Sequence, residues 1–441
     1  MSYVLLSYGS YVPRHRLQRA ELGGRGARAV ASFDEDSTTM GVEAARRALT
    51  NGARPASIYF ATTAPAYADK TNATAIHAAL DLGHEGFAVD LAGSVRGAVG
   101  ALRAAASSGG LAVLSDLRSG RPGSADERDG SDAAAAFLFG EGDGVAEVIG
   151  DASATAEFLD RWRTPGASFS GQWEERFGLE SYLPLIKDAG ARALAAAGIE
   201  QADHVIVSSP HARAAAAGAK HFGSAETAPP IGYAGAADPG VRLAAVLDVA
   251  QQGETVLLIV AADGADATVL RVGAGERPAP LDVNGGRDVP YITFLTWRGL
   301  LEREPPRRPE PGRPAGPPSA RSEAWKFAFV GAACDACGQV HVPPRRVCAG
   351  CGAVDQMTRR PLATQPGKVA TFTVDHLAFS PAPPMIDAVV DFEGGGRYTL
   401  EVADASPEEI EIGTPLELTF RRLYTVDGVH NYFWKVRPVS G

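Results

Sequence analysis

Apolar residues recur along this chain with two spacings, and the point where one replaces the other divides it. From the N-terminus to about residue 272, short apolar runs alternate with longer amphipathic stretches. Residues 3–12, 56–61, 87–91, 111–115, 204–208 and 255–261 read as strands, several of them apolar enough to be buried on both faces. Between them, residues 36–49, 72–82, 94–106, 182–197 and 241–252 carry helical signals. Asp36, ahead of Ser37-Thr38-Thr39, caps the first of these helices, with Met40, Ala44 and Ala48 on one face. Residues 133–139 and 145–149 suggest an antiparallel pair joined by a glycine-rich hairpin turn at 140–144, and 267–272 adds a closing strand. Such alternation implies an α/β fold with mixed sheets covered by helices. The order of elements before residue 150 is echoed after it, so two similarly built βαβαβ-type halves are expected.

Residues 302–324, EREPPRRPEPGRPAGPPSARSEA, have no apolar periodicity and are rich in proline, arginine and glycine, the composition of an extended linker. From residue 362 the pattern changes to short β-rich runs at 367–374, 385–392, 397–402, 415–421 and 430–436. No helical signal separates them, which predicts a small five-stranded barrel of the OB type. The expected divisions are an α/β domain over 1–301, the linker over 302–324, a metal-binding ribbon over 325–361 and the barrel over 362–441.

Composition narrows the function classes. The chain has 441 residues and a net charge of −10, which argues against a nucleic-acid partner. No apolar run approaches the ~18 residues of a membrane span, and the start MSYVLLSYGSYVP lacks a basic n-region and a cleavage site. A cytoplasmic protein is the expectation, and the cysteines agree with it. All four lie within CDACGQVHVPPRRVCAGC, residues 334–351.

They fall as Cys334-x-x-Cys337 and Cys348-x-x-Cys351, each pair followed by glycine (Gly338, Gly352). Each turn sets two thiolates on one face, and the glycine is expected to let backbone N–H groups approach sulfur. Two such turns predict a tetrahedral, structural Zn2+ site at Cys334, Cys337, Cys348 and Cys351, in preference to four free thiols or two disulfides. Elsewhere, Ser94 stands where a buried strand gives way to a helix. The helix dipole there would favour an anionic nucleophile, but a plain N-cap role is the expectation for this serine. Tyr67, Asp69 and Lys70 follow a strand and could line a pocket. His204, His211 and His221 cluster in sequence near a second-half strand. The segment 140–144 lacks the Lys-Ser/Thr of a Walker loop.

The stretches DEDSTTMGVEAARRAL (34–49), DLAGSVRGAVGAL (90–102), GSDAAAAFLFG (130–140), FLDRWRTPG (158–166), VIVSSPHAR (205–213), GYAGAA (232–237) and GETVLLIVAADGADATVL (253–270) resemble the thiolase superfamily, in its 3-hydroxy-3-methylglutaryl-CoA synthase and ketoacyl synthase III branch. The ribbon and barrel are similar to the DUF35 family, a rubredoxin-like zinc finger joined to an OB fold. This resemblance implies coenzyme A thioesters as ligands, and Arg161-Trp162-Arg163 could either hold structure or meet a CoA phosphate.

The residues that the synthase branch uses are missing. Ser94 stands at the position of its acylated cysteine, Thr63 at that of its glutamate, Ser208 at that of its histidine and Tyr233 at that of its asparagine. A serine hydroxyl needs an adjacent base to act as a nucleophile, and no motif places one. The resemblance therefore implies a subunit of a thiolase-type complex, in which a separate thiolase supplies the cysteine and this chain serves as scaffold or CoA channel in a dimeric or hetero-oligomeric assembly. The alternatives are a stand-alone enzyme using non-cysteine aldol, retro-aldol or acyl-transfer chemistry on an acyl-CoA, with Ser94, His211 or Tyr233 as candidates, and a pure CoA-ester binding module. The apolar and aromatic residues Phe379, Pro381, Pro383, Pro384, Met385 and Tyr424 would suit a docking face on the barrel.

Overall fold

The computed structural model describes residues 4–49, 52–224, 230–280, 283, 285–304, 312–314 and 322–439. Two compact units emerge. One holds Met1–Ala31, Asp36–Thr74 and His84–Tyr291; the other holds Ser32–Glu35, Ala75–Gly83 and Ile292–Gly441. Of the expected linker, residues 305–311 and 315–321 lie outside the described residues.

The first unit is built on β1 (Val4–Tyr11), α1 (Ser37–Ala48), β2 (Ser57–Thr62), α2 (Ala73–Ala79, its C-terminal part in the other unit), β3 (Phe87–Ala92), α3 (Gly97–Ser108), β4 (Leu111–Asp116), β5 (Ala133–Gly140), β6 (Ala146–Ala154), α4 (Glu175–Ala197), β7 (His204–Ser208), α5 (Ala212–His221), α6 (Asp238–Val249), β8 (Thr255–Val260) and β9 (Ala265–Val272). A nine-stranded sheet runs β7-β8-β9-β6-β1-β5-β4-β2-β3. β2 is parallel to β3 and β4, and β7 is parallel to β8; the other pairings are antiparallel. Strand β8 shows why both faces are covered. Val256, Leu258 and Val260 join the core under α3 and α6, while Leu257 and Ile259, one residue out of phase, join that under α4 and α5.

One expected pairing is different. Residues 133–139 and 145–149 do not form a hairpin, because β1 lies between them. It pairs along its length with β5, and through Leu5 and Ala146 with β6. Leu5, Tyr8 and Tyr11 of β1 are buried, as a central strand requires, and the glycine-rich segment 140–144 is thus a crossover. The cap on α1 is as the sequence suggests: Asp36 accepts from Thr39 N–H, and the Thr39 hydroxyl accepts from Asp36 N–H. Helix α4 starts seven residues earlier than expected and carries Pro184 in its interior. Helix α5 is not apparent from apolar spacing, because alanines fill it.

The second unit carries β10 (Val330–Cys334), β11 (Val340–His341) and β12 (Met357–Pro361) in one small sheet, then β13 (Gly367–Asp375), β14 (Met385–Phe392), β15 (Arg397–Glu401), β16 (Pro415–Val426) and β17 (Val429–Pro438). These five pair in the order β15-β14-β13-β16-β17, and a parallel bridge between Val402 and Val436 links the two ends of the series. This is the expected OB-type barrel.

A largely buried ion cluster lies in this unit, with Glu401 at its partly exposed edge. Arg421 meets Asp34 at 3.1 Å, Glu35 at 3.2 Å and Asp404 at 2.5 Å, and Lys435 meets Asp34 at 2.8 Å and Glu401 at 2.5 Å. Burial alone would push the Asp34 carboxyl up. Lys435 and then Arg421 outweigh it and hold that carboxyl well below the usual carboxylate range.

Candidate functional site

The turn between β3 and α3 presents Ser94. Gly97 N–H and Ala98 N–H bond the carbonyls of Ser94 and Val95, so a tight turn precedes the helix. The Ser94 hydroxyl is not the cap of α3, whose first residue is Gly97 and whose cap is Arg96. It accepts from Arg96 N–H at 3.2 Å and donates to Asp263 Oδ2 at 2.9 Å. Asp263 sits in the turn joining β8 to β9, with a left-handed φ of 52°. Arg96 ties the two segments together through the Asp263 carbonyl (2.9 Å) and Asp266 (2.7 Å).

Ser94 faces a cavity of about 110 Å³ whose lining includes Thr63, Arg118, Arg161, Arg163, Pro210 and Asp263. Thr63 is held from three sides. Its hydroxyl donates to Asp116 Oδ2 at 2.7 Å, its N–H to Asp116 Oδ1 at 3.1 Å, and Arg118 Nη1 donates to its hydroxyl at 3.2 Å. Burial pushes the Asp116 carboxyl up, against the opposing pull of Arg118 and the Thr63 hydroxyl. Ala236 N–H also donates to Asp116, at 2.9 Å. The turn there needs Gly235: its φ is 57°, and a Cβ would come within 2.1 Å of Asp116 Oδ2.

The remaining sequence candidates fall around this cavity in different ways. Ser208, at the end of β7, donates to Asp238 Oδ2 at 2.7 Å, and burial pushes the Asp238 carboxyl up to about 7. The Tyr233 ring lies under Arg118, 5.7 Å from its guanidinium carbon, and its buried hydroxyl has no partner among the described residues. His211 caps α5: Nδ1 accepts from Ala214 N–H at 3.1 Å, and Nε2 lies 2.7 Å from the carbonyl of Glu175. With both ring nitrogens engaged, it is placed as a positioning group. His204 pairs with Glu254 at 2.9 Å, and His221 packs edge-on against Phe222. Tyr67 and Lys70 are bonded into the Asn72 turn. Neither these two nor Asp69 lines the cavity. Of the Arg161-Trp162-Arg163 run, all three do. Arg161 is locked to Asp126 by two hydrogen bonds, one of 2.8 Å, and Arg163 donates to the Thr63 carbonyl.

Asp116, Arg118, Asp238 and Asp263 escaped the sequence reading. Asp116 ends a buried parallel strand and Asp263 follows another, and the crevice beyond carboxyl ends of parallel strands is where α/β folds place ligands. That rule was the available signal.

At the other end of the chain, the four cysteine Sγ atoms all lie within 4.8 Å of one another, with Cys334–Cys351 at 3.6 Å and Cys337–Cys348 at 3.5 Å. Tetrahedral zinc with ~2.3 Å bonds to sulfur sets ligands about 3.8 Å apart, so the set fits that ion and leaves no open position. Gly338 and Gly352 N–H groups bond the carbonyls of Cys334 and Cys348, and it is Gly350 N–H that approaches sulfur, 3.4 Å from Cys348. His341 Nε2 lies 3.3 Å from the same sulfur. The Cys351 N–H, with His341 and Gly350, draws the Cys348 thiol down to about 5 despite its burial.

Two family models match this region: the rubredoxin-like zinc ribbon domain of ChsH2 over residues 327–355 and the C-terminal OB-fold domain of ChsH2 over residues 360–421. A DUF35 domain-containing scaffold protein of Methanocaldococcus jannaschii is 33% identical over 120 residues, 26% of this chain and 84% of that protein. The remainder is similar to the hydroxymethylglutaryl-CoA synthase of Archaeoglobus fulgidus, at 29% identity over 304 residues, 61% of this chain and 88% of the relative. A crystal structure of HMG-CoA synthase complexed with CoA shares the fold, with a TM-score of 0.55 at 15% identity, over 62% of this chain and 83% of that one. No helix among the described residues is long and apolar enough to cross a membrane. The chain thus belongs to the DUF35 family, carrying its zinc ribbon and OB fold behind a thiolase/HMG-CoA synthase-like N-terminal domain.

Proposed function

We propose that this protein is the zinc-containing subunit of a thiolase-type complex that makes or cleaves a C–C bond in an acyl-CoA, and that it binds the thioester without being acylated by it. One observation carries the reading. The elbow that presents a nucleophile in the synthase branch presents Ser94, and Ser94 donates its proton to a carboxylate, with no imidazole among its hydrogen-bond partners in the described residues. The other positions of that chemistry, Thr63 and Ser208, are likewise committed to Asp116 and Asp238. The likeness to a protein described as a DUF35 scaffold supports an assembly role, and the likeness to a synthase complexed with CoA supports CoA as ligand. The loop carrying Phe379, Pro381, Pro383 and Pro384, which leads into Met385, and Tyr424 further on supply the apolar docking surface for the partner thiolase. Four thiols gathered into one metal site suit a reducing, cytoplasmic compartment.

Co-expression with a cysteine-bearing thiolase tests this. Turnover should require both chains and should disappear when residues 325–441 are deleted. Turnover by this chain alone, or a covalent adduct on Ser94, would refute it.

A stand-alone aldol or retro-aldol reaction is favoured by one feature, Asp263. Its carboxylate lines the cavity and already accepts a proton donor there, which is the placement of a general base. In that case Asp263→Asn should abolish turnover by the isolated chain.

A further inference from the structure

We propose that a second cavity, beside helix α3, is a binding site for a neutral straight-chain molecule carrying one carbonyl or hydroxyl oxygen. This site is separate from the elbow and does not depend on the acyl-CoA reading.

The cavity has a volume of about 490 Å³ and shares no lining residue with the one beside Ser94. Leu243, Leu258 and Leu270, each at most 4% exposed, line it together with Phe139. Close-packed cores leave few voids larger than a water molecule. Ligand sites run to ~300–1,000 Å³ and are mostly apolar, with a few placed polar groups.

Polar groups reach this lining for two local reasons. In α3, Arg103 and Ser107 sit on the same helical face as Leu102 and Ala106. Across the cavity, Val148 of β6 pairs with Leu270 of β9, and Asp151 pairs with Thr268. Val148 and Asp151 are three residues apart and would point to opposite faces of a regular strand. The register shift between Val269 and Leu270 brings both to the wall. Asp151, 60% exposed, and the exposed Ser107 mark the opening to solvent.

The charges fix the class of ligand. Arg103 and Asp151 are the charged residues of the lining, and they pair at 3.3 Å. Behind them, Asp266 stands 3.6 Å from Arg103 and 2.7 Å from Arg96. Two cations thus face two anions, and nothing is left to neutralise an ionised head group. One donor remains. Arg103 Nη1 donates to Ser153 Oγ at 2.8 Å and Nη2 to the Ala152 carbonyl at 3.5 Å. Its Nε–H is buried and has no partner among the described residues. A buried donor left unmet is costly, and a single neutral acceptor oxygen would meet it. The apolar lining is aliphatic apart from Phe139, which gives a flexible chain contact throughout and a planar ligand little to stack on.

The test uses the full zinc-loaded chain and calorimetric titration with decanol, methyl octyl ketone and decanoate. Decanol or the ketone should bind at one site per chain, about tenfold or more tighter than decanoate, whose charge has no counter-ion there. Arg103→Met, which removes the Nε–H donor, should weaken the neutral ligand about fivefold. Ala106→Trp and Val148→Phe fill the cavity from opposite walls and should abolish binding. Thermal melting reports whether each variant is folded, and whichever filling variant folds carries the test. Decanoate binding as tightly as the neutral ligands overturns the class of ligand, and unchanged affinity in folded Arg103→Met overturns the role of Nε. Uptake of neither neutral ligand, or uptake undiminished by a folded filling variant, overturns the site. A concentration-dependent dimer that Ala106→Trp dissociates, with no ligand uptake, gives the cavity to a second copy of the chain and also overturns it.

Discussion

Arg421 and Arg118 are both buried guanidinium groups, and they are treated in opposite ways. Within the second unit, Arg421 meets three carboxylates and the Thr419 hydroxyl, and its neighbour Lys435 meets two more carboxylate contacts. Within the first, Arg118 meets the Thr63 hydroxyl and the face of Tyr233, and its nearest carboxylate, Asp116, stands 4.0 Å away. Burial of a charge is thus no mark of a functional site by itself. Where the counter-charges are complete, the cluster specifies structure; where donors are left over beside a cavity, a ligand can complete them.

Four experiments can break or sharpen that contrast. The largest effect should come from the metal. Metal analysis of the unmodified chain should find about one zinc per chain; chelation, or Cys348→Ser, should remove it and unfold the ribbon strands. The barrel should stay folded, because its ion cluster joins β16 and β17 to Asp34, Glu35, Glu401 and Asp404 and draws none of these residues from the ribbon; tryptophan emission, with Trp434 buried in the barrel, reads this out. Loss of the barrel together with the metal would show that the cluster is not self-sufficient.

Next is Asp34→Ala, which leaves Arg421 and Lys435 short of a shared carboxylate and should cost about 3–5 kcal/mol in denaturant unfolding. Thr63→Val, which removes the hydroxyl beside Arg118, should cost about 1–3 kcal/mol. Equal costs would erase the distinction.

The two clusters should also respond to pH with opposite signs. The Asp34 carboxyl is held below its ordinary value, so its contribution to stability is present above about pH 4 and is lost as pH falls toward its depressed folded value. The Asp116 carboxyl is pushed up by burial, so the folded state holds its proton more tightly than the unfolded chain. Its contribution is greatest below about pH 4 and falls as pH rises toward the elevated folded value. Comparing stability against pH for the unmodified chain, Asp34→Asn and Asp116→Asn separates the two slopes.

The smallest effect belongs to Ser94→Ala. Losing the hydroxyl that bonds Arg96 N–H and Asp263 should cost ~1 kcal/mol, and any activity of an assembled complex should largely survive. Intact mass after incubation with acetyl-CoA should show no acylated form of the unmodified chain.

Much of the architecture is legible along the chain. The strands of the first unit are short and apolar, those of the barrel are short and unbroken by helices, and the Asp36 cap is written in four consecutive residues. The elements that escaped did so for physical reasons. Helix α5 is alanine-rich, so its buried and exposed faces look alike in hydrophobicity. Pro184 made the start of α4 look later than it is. The pairing of residues 133–139 with 145–149 looked local, and only the burial of β1 on both sides reveals an intervening strand.

The zinc ligands could be named from spacing, since each pair of thiolates is placed by a four-residue turn and a local turn is a property of local sequence. The barrel and the strand–helix alternation likewise follow from periodicity. The elbow cavity had to wait for the tertiary structure, because Thr63, Ser94, Arg118 and Asp263 come from segments scattered over 200 residues that meet only when the sheet is assembled. The same holds for the place of Asp34. In sequence it stands two residues before a helix cap; in the fold it is the counter-ion of Arg421 and Lys435, nearly 400 residues further on. Periodicity reports which face of an element is buried. Which charges meet there depends on how distant elements pack, and that information exists only in three dimensions.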